Sequence, residues 1–104
     1  MRVAAALEQA AALDRRRFAR QPVRVSAGLL DNARPSSPVT VIDLSPGGCG
    51  IETGIDLAVG ARVWLKLPGL ESWPSRVAWC EAGRAGLAFD RAMHEGVVGR
   101  FTGG

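Results

Sequence analysis

A chain of 104 residues with a hydrophobic share of 47% has room for one folded domain with a single core, which excludes a separate catalytic module. The formal net charge is +3, and all but one of the 13 basic residues are arginine. Cys49 and Cys80 stand apart without a CxxC pattern, so buried reduced thiols are expected rather than a metal site or a redox pair. No apolar run is long enough to span a membrane, so a cytoplasmic protein with no membrane partner is expected. No cofactor is expected either.

Residues 1–14 are predicted to be an N-terminal helical extension, and residues 15–104 are predicted to be the folded domain. The helix is expected over residues 2–14 because they are rich in Ala and Leu and contain neither Gly nor Pro. Its apolar face is mostly Ala, so the helix needs the domain or a second copy to pack against. Glu8 and Gln9 interrupt the apolar stretch, which argues against a secretory signal.

Six short strands are predicted from Pro22 onward, where the hydrophobic period changes to two. Five of them span residues 23–29, 39–44, 49–53, 60–67 and 73–81, and the sixth follows the turn at 82–84. Short strands between Gly- and Pro-rich turns favour an all-β fold, either a small antiparallel barrel or a sandwich. A closed barrel is preferred because so small a sheet would otherwise expose two edges.

Two further details of the fold are expected from the pattern. In the fifth strand, Val77 and Trp79 should point the same way, with Trp79 in the core; the alternative is that Trp79 borders the ligand site. Residues 91–101 should form a short C-terminal helix, which Gly96 and Gly99 weaken.

A cluster of arginines precedes the first predicted strand, at Arg15, Arg16, Arg17 and Arg20. A guanidinium group can donate two parallel hydrogen bonds to a phosphate or to guanine O6 and N7, and it can stack on a purine. Arg16 and Arg20 are therefore candidates to hold one nucleotide from two sides. The alternative is a solvated basic cluster at the end of a helix, where cations also stabilise the helix dipole.

The segment between the second and third strands reads D-x-S-x-x-G, with Asp43, Ser45, Gly47 and Gly48. A carboxylate can accept hydrogen bonds from guanine N1 and N2, and a serine hydroxyl can bind a phosphate or a base. The glycines remove side chains where a ligand approaches the backbone, and they permit positive φ. The alternative is a tight turn in which Asp43 and Ser45 bind local amides.

Together, the RxxxR pattern of residues 16–20 and the DxSxxG pattern of residues 43–48 resemble the PilZ family of bacterial cyclic di-GMP receptors. The resemblance covers residues 15–90, and segments 60–65, 76–79 and 86–89 look like the later strands of that family. It implies a six-stranded antiparallel β-barrel with an N-terminal helix and a short C-terminal helix. The ligand would lie on the barrel surface under the arginine segment.

The resemblance also implies the binding residues and the role of the protein. The implied ligand-binding residues are Arg15, Arg16, Arg20, Asp43, Ser45, Gly47 and Gly48. In the family, an arginine directly before the RxxxR pattern accompanies two stacked ligand molecules, so Arg15 implies a cyclic di-GMP dimer. The implied function is a non-catalytic second-messenger receptor that signals in trans to an effector protein and affects motility, biofilm formation or exopolysaccharide.

Three other functions are considered. A protein-interaction module with the same fold would bind no nucleotide. Binding of RNA or single-stranded DNA is disfavoured because the chain has no Tyr and no aromatic–basic alternation for stacking successive bases. An enzyme is disfavoured because His94 is the sole histidine and Ser45 does not lie in a G-x-S-x-G elbow.

Overall fold

The computed structural model describes residues 20–32 and 35–102, and this part of the chain contains six strands and one helix. The elements are β1 (Gln21–Leu30), β2 (Ser37–Ser45), β3 (Gly48–Glu52), β4 (Arg62–Lys66), β5 (Trp73–Glu81), β6 (Arg84–Phe89) and α1 (Glu95–Thr102). All paired strands are antiparallel, and they close a barrel in the order β1-β2-β3-β6-β5-β4. The predicted barrel with a C-terminal helix is confirmed. The helix predicted over residues 2–14 lies outside the described residues, as do Arg15 and Arg16.

The core fills the inside of the barrel with side chains from alternate strand positions, as a pleated strand requires. Its fully buried members include Val41, Leu44, Cys49, Ile51, Val63, Leu65, Leu67, Val77, Ala85, Leu87 and Met93. The period-two pattern of the sequence therefore identifies most of the inward positions.

Three irregularities in strand register interrupt that alternation. They fall between Pro22 and Val25 in the β1–β2 pair, between Val41 and Asp43 in the β2–β3 pair, and between Val77 and Trp79 in the β5–β6 pair. An extra residue in one strand reverses the face on which the following side chains lie.

The irregularity in β5 overturns one prediction. Val77 is buried, whereas Trp79 is 42% exposed and pairs in register with Gly86. The expectation that the two side chains share a face, with Trp79 in the core, was wrong because the extra residue at Ala78 turns Trp79 to the outer surface.

The segment after β6 closes the barrel and supports the β2–β3 turn. The Phe89 N–H donates to the Gly47 carbonyl at 2.9 Å, and the N–H of buried Met93 donates to the Pro46 carbonyl at 2.8 Å. Helix α1 therefore begins at Glu95, later than the predicted residue 91, since Met93 is held against the turn. His94 caps α1 by accepting the Gly96 N–H at Nδ1 over 2.9 Å.

Candidate functional site

Asp43 and Arg20 meet on the outer surface where β1 and β2 pair. Strict alternation after buried Val41 would place Asp43 inside the barrel, but the register irregularity between them turns it outward. Its Oδ1 accepts the Gly50 N–H at 2.8 Å and pairs with Arg20 Nη1 at 3.2 Å. The two sequence patterns, 23 residues apart at these positions, are thus joined by a charge-assisted hydrogen bond.

Ser45 lies just inside the turn and is only 3% exposed. Its hydroxyl donates to the Gly48 carbonyl and accepts the Gly47 N–H, both at 3.3 Å. The hydroxyl therefore stabilises the turn and is already engaged as both donor and acceptor. A direct contact of Ser45 with a ligand stays a prediction.

The two glycines of the turn, Gly47 and Gly48, have different structural roles. Positive φ within the described residues occurs at Ala82, Gly60, Gly69 and Gly83, so neither Gly47 nor Gly48 needs it. Gly48 is buried, and a Cβ there would collide with the carbonyl oxygen of Leu87 on β6. Gly48 is thus required by close strand packing, whereas Gly47 is exposed, with its N–H bound to Ser45 and its carbonyl bound to the Phe89 N–H.

Small residues form a flat area on the outer face of β3 and β6, which we call the platform and define as Gly48, Gly50, Gly86 and Ala88. Gly48 pairs in register with Ala88, and Gly50 pairs with Gly86. The side chains of Asp43 and Trp79 lie over Gly50 and Gly86, which are both buried, so Ala88 is the exposed member of the platform.

The platform has a different wall on each side. On the β2 side Asp43 pairs in register with Gly50, and its Oδ2 would be 2.7 Å from a Cβ on that glycine. On the β5 side the indole of Trp79 occupies the space that a Cβ on Gly86 would need. The strands that carry these side chains, β2 and β5, are three strand spacings apart, about 14 Å, but both side chains extend inward over the paired glycines Gly50 and Gly86. The surface of the site therefore offers carboxylate and guanidinium groups at one side and an aromatic ring at the other.

The surroundings of the site carry more positive than negative groups. Arg20 lies beside Asp43, while Arg24 and Arg84 both pair with Glu52, at 3.4 Å and 3.8 Å. Beneath the platform, burial raises the pKa of the Cys49 thiol from 9.0 to about 12, with smaller opposing effects of the Arg20 and Asp43 charges. Cys49 therefore stays protonated and serves as an apolar core residue.

Other kinds of site were sought in the same part of the chain. Across residues 20–32 and 35–102, no three His, Cys, Asp or Glu side chains come together as a metal site would require. No helix among the described residues is long and apolar enough to cross a membrane.

The structure brings together Arg20, Asp43, Ser45, Gly47 and Gly48 of the predicted site residues, while Arg15 and Arg16 lie outside the described residues. Trp79, predicted to lie in the core with the border of the ligand site as the alternative, lies on the outer surface over the platform. The signal available for it was the G-x-A pattern of residues 86–88, whose small residues leave the neighbouring strand exposed.

The fold and the site define a small β-barrel whose outer surface carries the Arg20–Asp43 pair beside the platform. The PilZ domain family model matches residues 14–101, and the chain therefore belongs to the PilZ domain family. PilZ is a family of cyclic di-GMP receptors, and its domains are typically non-catalytic. The predicted family resemblance is confirmed.

Two solved structures share the fold. The crystal structure of the PilZ domain of CeSA from a cellulose-synthesizing bacterium aligns with a TM-score of 0.60 and 19% identity, over 71% of this chain and 82% of that chain. The structure of the Bacillus subtilis inhibitor of motility, MotI/DgrA, aligns with a TM-score of 0.61 and 14% identity, over 86% of this chain and 48% of that chain. A search of the curated proteins gave no match.

Proposed function

We propose that this protein is a receptor that binds cyclic di-GMP on the outer surface over the platform, against the side chains of Asp43 and Trp79. The observation that carries the proposal is the Arg20–Asp43 pair at the platform edge, because a guanidinium group and a carboxylate are groups that can hydrogen-bond guanine. The family of the chain supplies the ligand class.

The two oxygens of the Asp43 carboxylate have different roles. Oδ1 is bound by the Gly50 N–H and by Arg20, which fixes the side chain. Oδ2 receives none of these bonds and is the oxygen offered to guanine N1 and N2. Arg20 is 45% exposed and can turn its remaining N–H groups toward a guanine edge or a phosphate.

Ser45 and Gly48 act on the ligand mainly through the turn that they build. Their hydrogen bond and close packing hold the backbone of exposed Gly47 in position beside the platform. Trp79 offers a stacking surface for the second purine, since its indole borders the platform opposite Asp43.

Arg15 and Arg16 complete the proposed ligand contacts from the segment that precedes Arg20. Arg16 would grip guanine or phosphate from the opposite side, and Arg15 would favour a stacked cyclic di-GMP dimer by adding a cation. An Arg15→Leu variant should then bind fewer ligand molecules per protein in calorimetric titration, and an unchanged ratio would refute this role.

The receptor is non-catalytic and passes its signal to an effector protein in trans. Ligand binding would order residues 15–20 against the barrel and change the position of residues 2–14, which an effector can recognise. Amide hydrogen exchange of residues 2–20 should slow in saturating cyclic di-GMP. Unchanged exchange would rule out this route, though not ligand binding itself.

The decisive experiment is calorimetric titration of the full chain with cyclic di-GMP. The wild type should bind saturably, and an Arg16→Ala/Arg20→Ala variant should lose binding while its circular dichroism stays the same. Arg100→Ala, an exposed arginine on α1, is the matched control and should bind as the wild type does. An absence of binding by the wild type would favour a protein-interaction module with no nucleotide ligand.

A further inference from the structure

Beside the platform lies a charged cluster that the proposed receptor function does not use. Glu52 on β3 accepts ion pairs from Arg24 on β1 and from Arg84 on β6, at 3.4 Å and 3.8 Å. One carboxylate thus faces two guanidinium groups, and the cluster keeps a net positive charge. The side chains of Arg24 and Arg84 are 72% and 60% exposed, so both can reach a bound molecule.

The cluster borders an open cleft of about 500 Å³. Its lining includes Ser26, Thr40, Glu52, Gly54, Gly83 and Arg84. Hydroxyl groups, glycine backbone and a guanidinium group are donors that suit a phosphate and its sugar. The cleft is polar and wide open, unlike an apolar pocket for a hydrophobic ligand.

Strand register makes the cluster continuous with the platform. Glu52 lies two residues beyond Gly50 on β3, and its register partners are Thr40 on β2 and Arg84 on β6. Two residues of a strand span about 7 Å, which is shorter than the screening length of about 8 Å in physiological salt. A phosphodiester on the platform therefore lies within electrostatic reach of both arginines.

The ion pairs of the cluster are weak enough to rearrange. Both are long and solvent-exposed, and such pairs hold their side chains only loosely. A phosphate oxygen offers either arginine a shorter, charge-assisted hydrogen bond. Glu52 then has two opposing effects, since it keeps the arginines near the platform and also competes with the ligand for them.

We infer that Arg24, Glu52 and Arg84 form a second anion subsite next to the platform, in which Glu52 competes with the ligand phosphate and lowers its affinity. This inference rests on the proposed function, because the anion is a phosphodiester of the cyclic dinucleotide. Arg24 and Arg84 are the binding residues, and Glu52 sets how available they are.

Calorimetric titration of the full chain with cyclic di-GMP tests the inference. Arg84→Ala and Arg24→Ala should each weaken binding about fivefold, as expected for loss of one exposed charge-assisted contact. Glu52→Gln should strengthen binding about fivefold. The matched controls are Arg91→Ala and Glu71→Gln, because these two exposed residues form a similar ion pair at 3.5 Å that lies outside the cleft lining.

A combined variant separates competition from simple charge repulsion. In an Arg24→Ala/Arg84→Ala background, Glu52→Gln should lose its effect, since the guanidinium groups for which it competes are gone. An equal gain of affinity in that background would overturn the inference, as would single variants that match the Arg91 and Glu71 controls. If the wild type bound no cyclic di-GMP, the proposed function would fail together with this subsite.

Discussion

The two polar regions on the outer face of the barrel hold their groups by different means. In the turn of residues 43–48, polar atoms are bound within the protein: Gly50 fixes Asp43, and buried Ser45 bridges Gly47 and Gly48. In the Arg24–Glu52–Arg84 cluster, exposed side chains meet at 3.4 Å and 3.8 Å. The turn is a preformed structure, whereas the cluster is free to follow a ligand.

This contrast divides the residues of the RxxxR and DxSxxG patterns into two kinds. Ser45 and Gly48 build the turn, so their substitution should first change the stability of the domain. Arg20 and Asp43 present groups at the surface, so their substitution should first change ligand affinity. Measuring stability and affinity on the same variants therefore tests the division.

The largest effect is expected at Gly48, inside the preformed turn. In Gly48→Ala the new Cβ would press on the Leu87 carbonyl oxygen, a backbone atom that can yield only if β3 and β6 separate. Overpacking of this kind should lower the free energy of unfolding by about 3 kcal/mol in urea denaturation. Gly54→Ala is the control, since nothing lies within 4 Å of its Cβ, and it should change stability by less than about 0.5 kcal/mol. Equal stability of the two variants would show that the strands are not tightly packed at Gly48.

A second test asks whether water is excluded from the Cys49 thiol in the core beneath the platform. The unfolded chain loses the Cys49 proton above pH 9, whereas the folded protein keeps it until about pH 12. The unfolded state then binds fewer protons, so stability should fall as the pH rises through this window, by about 2 kcal/mol at pH 10.5. Urea midpoints of the wild type should fall more steeply between pH 8.5 and 10.5 than those of Cys49→Ala. Parallel curves for the two proteins would show that water reaches the thiol.

The division between turn-building and ligand-binding residues is tested most directly by comparing Ser45 with Asp43. Ser45→Ala removes two hydrogen bonds inside the turn and should cost about 1.5 kcal/mol of stability, with little change in the cyclic di-GMP affinity of the folded protein. Asp43→Asn keeps an oxygen for the Gly50 N–H but loses the charge that pairs with Arg20 and that we propose binds guanine. It should keep its melting temperature and lose about tenfold in affinity.

Asp90→Asn provides the control for that charge change. Asp90 is an exposed carboxylate that pairs with Arg62, so it loses the same charge away from the site. Its affinity should match that of the wild type. If instead Ser45→Ala lost ligand and Asp43→Asn lost stability, the division between building and binding residues would be reversed.

The smallest effect is expected at the turn that borders the cleft. Ala82 has a φ of 54°, which is costly for a residue with a Cβ. Ala82→Gly should relieve that strain and raise the free energy of unfolding by about 0.5–1 kcal/mol in urea denaturation. Ala58→Gly, in an exposed loop without positive φ, should bring no gain. A loss of stability in Ala82→Gly would show that the entropy of the unfolded chain outweighs the strain.

Much of the fold and part of the site can be read from the chain alone. Alternating Val and Leu residues locate the six strands, because inward positions of a pleated strand recur every second residue. Arg20 and Asp43 were predicted to act together, and the barrel does join them. The strand patterns are local, and the two motifs that contain Arg20 and Asp43 are visible in the sequence, so the strands and this pair could be predicted without coordinates.

Other features were decided only when distant strands paired. Register irregularities turn Asp43 and Trp79 to the outer surface, and such irregularities depend on the neighbouring strand as much as on the bulged one. The hydrogen bond from Met93 to Pro46 spans the barrel end, and the Arg24–Glu52–Arg84 cluster draws on three strands. The sequence by itself determined the strands, the family and the paired motifs, because these depend on local periodicity and spacing. Only the tertiary structure decided which side chains lie on the outer surface, since one extra residue in a strand reverses the face of those that follow.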